Sequence, residues 1–274
     1  MENVAVRAPA HAKLAGHRNV CAGVARALGS AGATVYVTGR SVRGGAPPAD
    51  GAAGTVQDTA DEVAALFSRV QREQGRLDVL VNAAWGGNEL PRLQADWGTP
   101  SWEVEAAAYW DSMFVAGVRA ALVASQHAAR LMAAQGSGLI VSVSFGAGGG
   151  SSPYLGNLYY DLAKASLNRL AFCLGEELRP MGVASVALSP GHMRTERVLQ
   201  AYKTDEQHWR EVPELAAGSE TPEYLGRAVA ALAGDAAVLR HSGQVLLVAE
   251  LARQYGFTDV DGSIPPPFQL PGAE

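Results

Sequence analysis

The sequence has only two cysteines, Cys21 and Cys173, far apart in the chain. That excludes a disulfide framework and the paired spacing of a cysteine-held metal, so no metal is expected. It has no excess of positive charge: the formal net charge is −5. A nucleic-acid partner, which would need a basic surface, is not expected. No apolar run reaches the length of a membrane-spanning helix, so no membrane partner is expected either. The first thirty residues lack the basic start, apolar centre and cleavage pattern of a secretory leader. A cytoplasmic location follows as the default. No internal repeat is present. Low-complexity character is confined to Gly44–Gly54, Gly146–Ser152 and the Pro-rich tail Ile264–Gly272, which read as two loops and a surface arm. No shift in composition marks a boundary, so residues 1–274 are expected to form a single domain.

Periodicity supplies the elements that are present. Asn3–Ala8 reads as a short strand. Val20–Leu28 has helical spacing and stops at Gly29. Ala33–Thr38 is a strand, Val56–Glu73 an amphipathic helix, and Leu77–Val81 a second strand. Trp102–Gln135 is a long alanine-rich helical region. Leu139–Val143 is an apolar run short enough for a buried strand. A helix starts near Asn157. Val183–Leu188 and Gln244–Val248 read as strands, and Arg194–Arg210 and Pro222–Ala233 as helices. Strands alternating with helices argue an α/β fold, a Rossmann-like doubly wound sheet that is parallel and covered on both faces.

The stretch from Leu139 to Glu177 carries the chemistry. Tyr160 and Lys164 are four residues apart and share one helix face. A free phenol titrates near ~10. A close ammonium favours the phenolate and should lower that value toward the range useful for proton transfer. Ser144, at the end of the preceding strand, is placed to bond the same substrate oxygen, with Ser142, Ser151 or Ser152 as substitutes. This Ser…Tyr-x-x-x-Lys arrangement resembles the short-chain dehydrogenase/reductase family. Other segments follow the same order. Gly23–Arg40 looks like the family's first helix and second strand. LDVLVNAAWGG looks like its Asn-Asn-Ala-Gly turn, with Asn82 at the sheet centre. SPGHMRTE resembles its Pro-Gly turn and the threonine that touches the nicotinamide amide, here Pro190, Gly191 and Thr195. The ending LARQYGFTDVDG resembles the member-one branch of the family. The resemblance implies catalytic Tyr160, Lys164 and Ser144. It also implies Arg40 as a contact for an NADP 2′-phosphate.

The departures cluster in the first half. In this fold the pyrophosphate rests on amides of a glycine-lined helix start. Here only Gly16 and Gly23 are available, with Arg18, Asn19, Val20 and Cys21 between them. Between Arg40 and Leu77 no strand candidate remains. The fold is therefore expected to be reduced in its N-terminal half, with the third strand and the glycine-rich turn missing. Phe114 takes the place of the family's catalytic Asn, which breaks the proton relay. Losing several charge-assisted hydrogen bonds, each worth roughly 1.5–3 kcal/mol, would weaken dinucleotide binding by orders of magnitude. The expectation is thus an enzyme without a nicotinamide cofactor, using Tyr160 and Lys164 for cyclisation, dehydration or isomerisation of a carbonyl or enol. The alternative is an NADPH-dependent carbonyl reductase holding NADP(H), and the third reading is a non-catalytic binding partner.

The substrate is expected to be a small molecule, aromatic or polyketide-like as in secondary metabolism. Trp85, Tyr154, His192 and Phe114 are the candidates to line its pocket. The alanines of Trp102–Gln135 allow close helix approach. In the family this helix and the Tyr/Lys helix form a dimer interface, which implies a homodimer or homotetramer.

Overall fold

The computed structural model describes residues 3–7, 20–37, 56–87, 97–146 and 154–268. The elements run β1 (Asn3–Arg7), α1 (Val20–Ser30), β2 (Thr34–Val37), α2 (Val56–Gln74), β3 (Val79–Asn82) and α3 (Ala106–Trp110). A π-helical stretch, Asp111–Arg119, joins α3 to α4 (Ala120–Gln135). Then follow β4 (Gly138–Val143), α5 (Leu158–Leu178), β5 (Val183–Ser189), β6 (His192–Met193), α6 (Glu196–Ala201), α7 (Pro213–Ala216) and β7 (Ser219–Glu220). The last elements are α8 (Pro222–Ala233), β8 (Val245–Leu247) and α9 (Val248–Tyr255).

Six strands form one sheet in the order β2-β1-β3-β4-β5-β8. The β3, β4, β5 and β8 pairs are parallel. Alternation along the strands sends side chains to opposite faces. Val79, Val81, Leu139 and Val141 pack under α1, α8 and α9, against Val24, Leu225 and Leu251. Leu80 and Ile140 pack on the other face, against Phe67 of α2, Ala124 and Met132 of α4 and Leu174 of α5. Val141, Val186 and Ile140 are completely buried. Each such side chain contributes about 1.5–3 kcal/mol relative to exposure. The doubly wound architecture is thus the one that the strand–helix alternation implies.

The first strand departs from the expected pattern. β1 fills the slot between β2 and β3, but it runs antiparallel to both. Its carboxyl end, Arg7, therefore lies at the amino edge of the sheet. α1 instead starts at the carboxyl edge, because its end turns directly into β2 at Ala31–Ala33. So β1 and α1 do not make the strand–turn–helix unit that the family uses for pyrophosphate. The first half of the GHRNVCAG turn, residues 16–19, lies outside the described residues. Its described side chains go into the fold. Cys21 is buried in the core. Gly23 serves helix packing, since a Cβ there would collide with the Pro222 backbone of α8. Among the described residues, α2 alone separates β2 from β3, and no strand lies between them.

Two further segments differ. The helix read over Arg194–Arg210 is only α6, ended by Lys203 in the left-handed region at φ 53°. The tail's Pro265 is buried, so the described part of that arm packs against the body. No described helix is long and apolar enough to cross a membrane.

Candidate active site

The site sits at the carboxyl edge of β3, β4 and β5. α5 is started by Asn157, whose side chain accepts from the Tyr160 amide at 3.0 Å. This cap satisfies an otherwise orphan donor and fixes the first turn that presents Tyr160. One turn on, Lys164 points into the protein and is buried. Its Nζ donates to the Val143 carbonyl at 3.3 Å and lies 4.3 Å from the centre of the Trp85 ring. Ser144 donates from its hydroxyl to the Lys164 carbonyl at 2.9 Å. Its oxygen is therefore committed to the α5 backbone. Ser142 is buried, with no partner for its hydroxyl among the described residues. Ser151 and Ser152 lie outside them.

Tyr160 is enclosed by aromatic rings. Trp85 meets it edge-on at 5.4 Å, Trp97 lies at 5.1 Å and Phe145 at 6.5 Å. The Trp97 indole N–H is anchored on the Leu155 carbonyl at 2.7 Å. Burial, and then the neighbouring Asp161 charge, push the Tyr160 phenol up to about 12. This corrects the expectation that Lys164 would pull it down. The reason is geometric: the ammonium is turned toward Val143 and Trp85 and sits 5.6 Å from the Tyr160 ring centre. Lys164 itself is pushed down to about 8 by burial. The pair is thus poised through the lysine rather than through the phenol.

The remaining candidates separate. Phe114, on the π-helical stretch, stacks flat on Trp110 at 4.3 Å and joins the cluster that includes Trp85 and Tyr160. Stretches of π-helix often mark functional sites. His192 lies beside Tyr202 at 6.0 Å and Phe268 at 6.4 Å, and burial lowers its imidazole pKa. Tyr154 is exposed. Asn82 is buried and donates to Ser125 at 2.9 Å, bracing β3 against α4. Thr195 caps α6 by accepting from the Val198 amide at 3.3 Å. Gly191 donates its amide to Glu220 at 2.9 Å. Arg40 lies outside the described residues, and among those described no acidic, His or Cys cluster could hold a metal.

Sequence reasoning missed Phe145, Phe268 and Glu220. Phe145 follows Ser144 in a loop, and Phe268 meets it at 5.7 Å from the tail. A single aromatic in a Pro-rich tail carries no sequence signal of such a contact. A cavity of about 440 Å³ is lined by Phe145, Lys164, Asn168 and Phe172 among others. Tyr160 is not on its lining, so this cavity reaches the lysine of the acid–base pair but not the tyrosine.

The chain belongs to the short-chain dehydrogenase/reductase family. The family described as "Enoyl-(Acyl carrier protein) reductase" matches residues 14–249. The chain is 39% identical over 262 residues to "Dehydrogenase/reductase SDR family member 1" of Mus musculus and to that of Homo sapiens. Each match covers 89% of this chain and 81% of the relative. Among solved structures it is similar to a putative NAD(P)-dependent gluconate 5-dehydrogenase from Beutenbergia cavernae with bound NADP. That likeness has 26% identity and a TM-score of 0.51, covering 70% of this chain and 71% of that one. A short chain dehydrogenase from Mycobacterium thermoresistibile has 25% identity and a TM-score of 0.60, covering 78% and 69%.

These relationships overturn the expectation of an enzyme without a nicotinamide cofactor. The chain's relatives are dehydrogenases and reductases, and one similar structure holds NADP. The expectation weighed the missing glycine turn above everything else. At the other end of the site donor capacity remains. The buried Lys164 ammonium has three N–H donors and only the Val143 carbonyl as an acceptor among the described residues. The Gly191 turn and Thr195 lie on the segment that follows β5.

Proposed function

We propose that this chain is an NAD(P)-dependent oxidoreductase, with NADP(H) as its cofactor, that interconverts a carbonyl and an alcohol on a small molecule. The observation that carries this reading is Tyr160, held in an aromatic enclosure one helical turn before a buried Lys164 whose ammonium has one hydrogen-bond acceptor among the described residues. Lys164 and the Gly191–Thr195 segment would hold the nicotinamide riboside, and Arg40 the 2′-phosphate. When bound, that cofactor supplies or accepts the hydride at the carbonyl carbon.

The chain's own residues manage the proton. Tyr160 donates it to the carbonyl oxygen in reduction and takes it back in oxidation. A neutral phenol near 12 remains a competent donor throughout the physiological range. Lys164 stabilises the phenolate formed when the proton leaves, but only by turning its ammonium from the Val143 carbonyl toward the Tyr160 oxygen. Ser144 reaches a substrate oxygen only by exchanging its bond to the Lys164 carbonyl. Until then it positions α5. The rings of Trp85, Trp97 and Phe145 exclude water and suit an aromatic substrate. Phe114 joins that wall, and His192 is linked to it only through Phe268, which meets Phe145. Residues 1–274 act as one domain in this reading. A homodimer through α4 and α5 fits the exposed Leu122, Leu158, Leu162 and Phe172 of those helices.

The test is loss of reduced-nicotinamide absorbance with a panel of aromatic and aliphatic ketones and aldehydes. Turnover with aromatic carbonyls is expected. No oxidation of NADPH or NADH with any of them would reject the reading.

A further inference from the structure

Away from the acid–base pair, the most heavily built polar feature is at the segment after β5. β6 pairs with β7, and the registers are His192 with Ser219 and Met193 with Glu220. Glu220 is completely buried. Its side-chain Oε2 accepts from the Gly191 amide at 2.9 Å. Its backbone carbonyl accepts from the Arg194 amide at 2.7 Å. One residue therefore holds both ends of Gly191–Arg194. The contact leaves no room for a side chain at 191, where a Cβ would come within 2.7 Å of Oε2.

The surroundings fix Glu220 in turn. The Arg194 guanidinium is buried, donates to the Ser219 carbonyl at 2.6 Å and to its hydroxyl at 3.0 Å, and lies 3.7 Å from the Trp209 ring centre. Asp259 accepts from the Thr221 amide at 2.8 Å and from the Thr221 hydroxyl, pinning the residue after Glu220. Three buried polar atoms here have no partner among the described residues: Glu220 Oε1, Arg194 Nε and Tyr224 OH. Burial of two carboxyl groups and a guanidinium in one place stabilises the fold poorly. Such an arrangement is better explained by what it holds in position.

We propose that Glu220 is a positioning residue for the cofactor: it fixes the Gly191–Arg194 segment, and with it Thr195, against which the nicotinamide end binds. This rests on the oxidoreductase reading above. Glu220 touches neither substrate nor cofactor in this account and acts only through the Gly191 and Arg194 amides.

The test compares wild type, Glu220→Met and Glu220→Gln in NADP⁺ binding by calorimetry and in steady-state kinetics. Methionine keeps the length and fills the core but cannot hold the Gly191 amide. Glutamine keeps a carbonyl acceptor at the same place. Displacement of a positioning segment by about 1 Å can cost roughly a hundredfold. Glu220→Met is accordingly expected to weaken NADP⁺ binding roughly tenfold to a hundredfold and to raise the cofactor KM more than it lowers kcat. Glu220→Gln is expected to restore affinity to within a few-fold of wild type. If Glu220→Met does not fold, Glu220→Gln measured alone decides, since affinity falling tenfold despite a native melting profile contradicts the acceptor role. Equal affinity in wild type and Glu220→Met would overturn the proposal and leave the oxidoreductase reading standing. Absence of NADP⁺ binding in wild type would instead overturn that reading, and the proposal with it.

Discussion

Replacing Lys164 by methionine should make the protein slightly less stable and much less active. Burial pushes the Lys164 ammonium from its ordinary 10.5 down to about 8. The two values lie about 2.5 pH units apart, and each unit corresponds to 1.36 kcal/mol, so keeping the charge in the fold costs about 3 kcal/mol. The sign follows from proton counting. Below about pH 8 both folded and unfolded states carry the charge, and the full penalty is present. Between about 8 and 10.5 the folded state sheds the proton while the unfolded state keeps it, so stability rises with pH. Methionine removes the penalty but also the bond from the charged ammonium to the Val143 carbonyl, worth about 1.5–3 kcal/mol, and the desolvated contact with the Trp85 ring, worth about 2 kcal/mol. The net expectation is a loss of about 0.5–2 kcal/mol at pH 7, or a Tm lower by about 1–6 °C. Urea unfolding at pH 7 and at pH 10 measures both effects. The wild type should gain on the variant between those pH values, while turnover of the variant falls roughly a hundredfold or more. A stability difference that does not widen between pH 7 and pH 10 would refute the reasoning.

Tyr160→Phe should lower turnover roughly 10²–10⁴-fold with little change in melting, because its hydroxyl has no hydrogen-bond partner among the described residues. Near-normal turnover would remove Tyr160 from the proposal and leave His192 as the next candidate. Gly23→Ala should destabilise by about 1–3 kcal/mol through overpacking of α1 against Pro222, seen as a lower denaturation midpoint. Burial pushes the Glu220 carboxyl from 4.5 up to about 8, so its folded form favours the neutral acid and stability falls as pH rises from about 4.5 to 8. Glu220→Gln, neutral throughout, should therefore melt higher than wild type at pH 8 and lose that pH dependence. Parallel melting curves for the two from pH 5 to 8 would contradict it.

Much of the fold was legible because burial writes a period into the chain. β4 shows as Leu139–Val143 because both of its faces are covered. The α8 boundaries, Pro222–Ala233, are marked by Pro at the start and Gly234 after the end. Direction is not written that way. The alternation of Asn3–Arg7 indicates a strand, but nothing local distinguishes a parallel from an antiparallel partner. β6 and β7 are two residues each, too short for any period. α9 opens on Val248, which reads as the end of the preceding strand.

The site divides in the same way. Tyr160 and Lys164 announce themselves by helical spacing. The direction of the lysine, toward Val143 and Trp85, depends on a loop some 80 residues upstream in sequence and could not be read locally. Glu220 reads as an ordinary acidic residue ahead of a helix, and only the pairing of β6 with β7 brings it to Gly191. The absent glycine turn was visible. Its weight was overestimated, because sequence shows which donors are lost from the phosphate end but not which remain at Lys164.

The most direct test of the central claim is calorimetric titration of NADPH into the wild-type protein. The account predicts saturable binding with a dissociation constant in the micromolar range. No saturable heat at millimolar NADPH or NADH would contradict it.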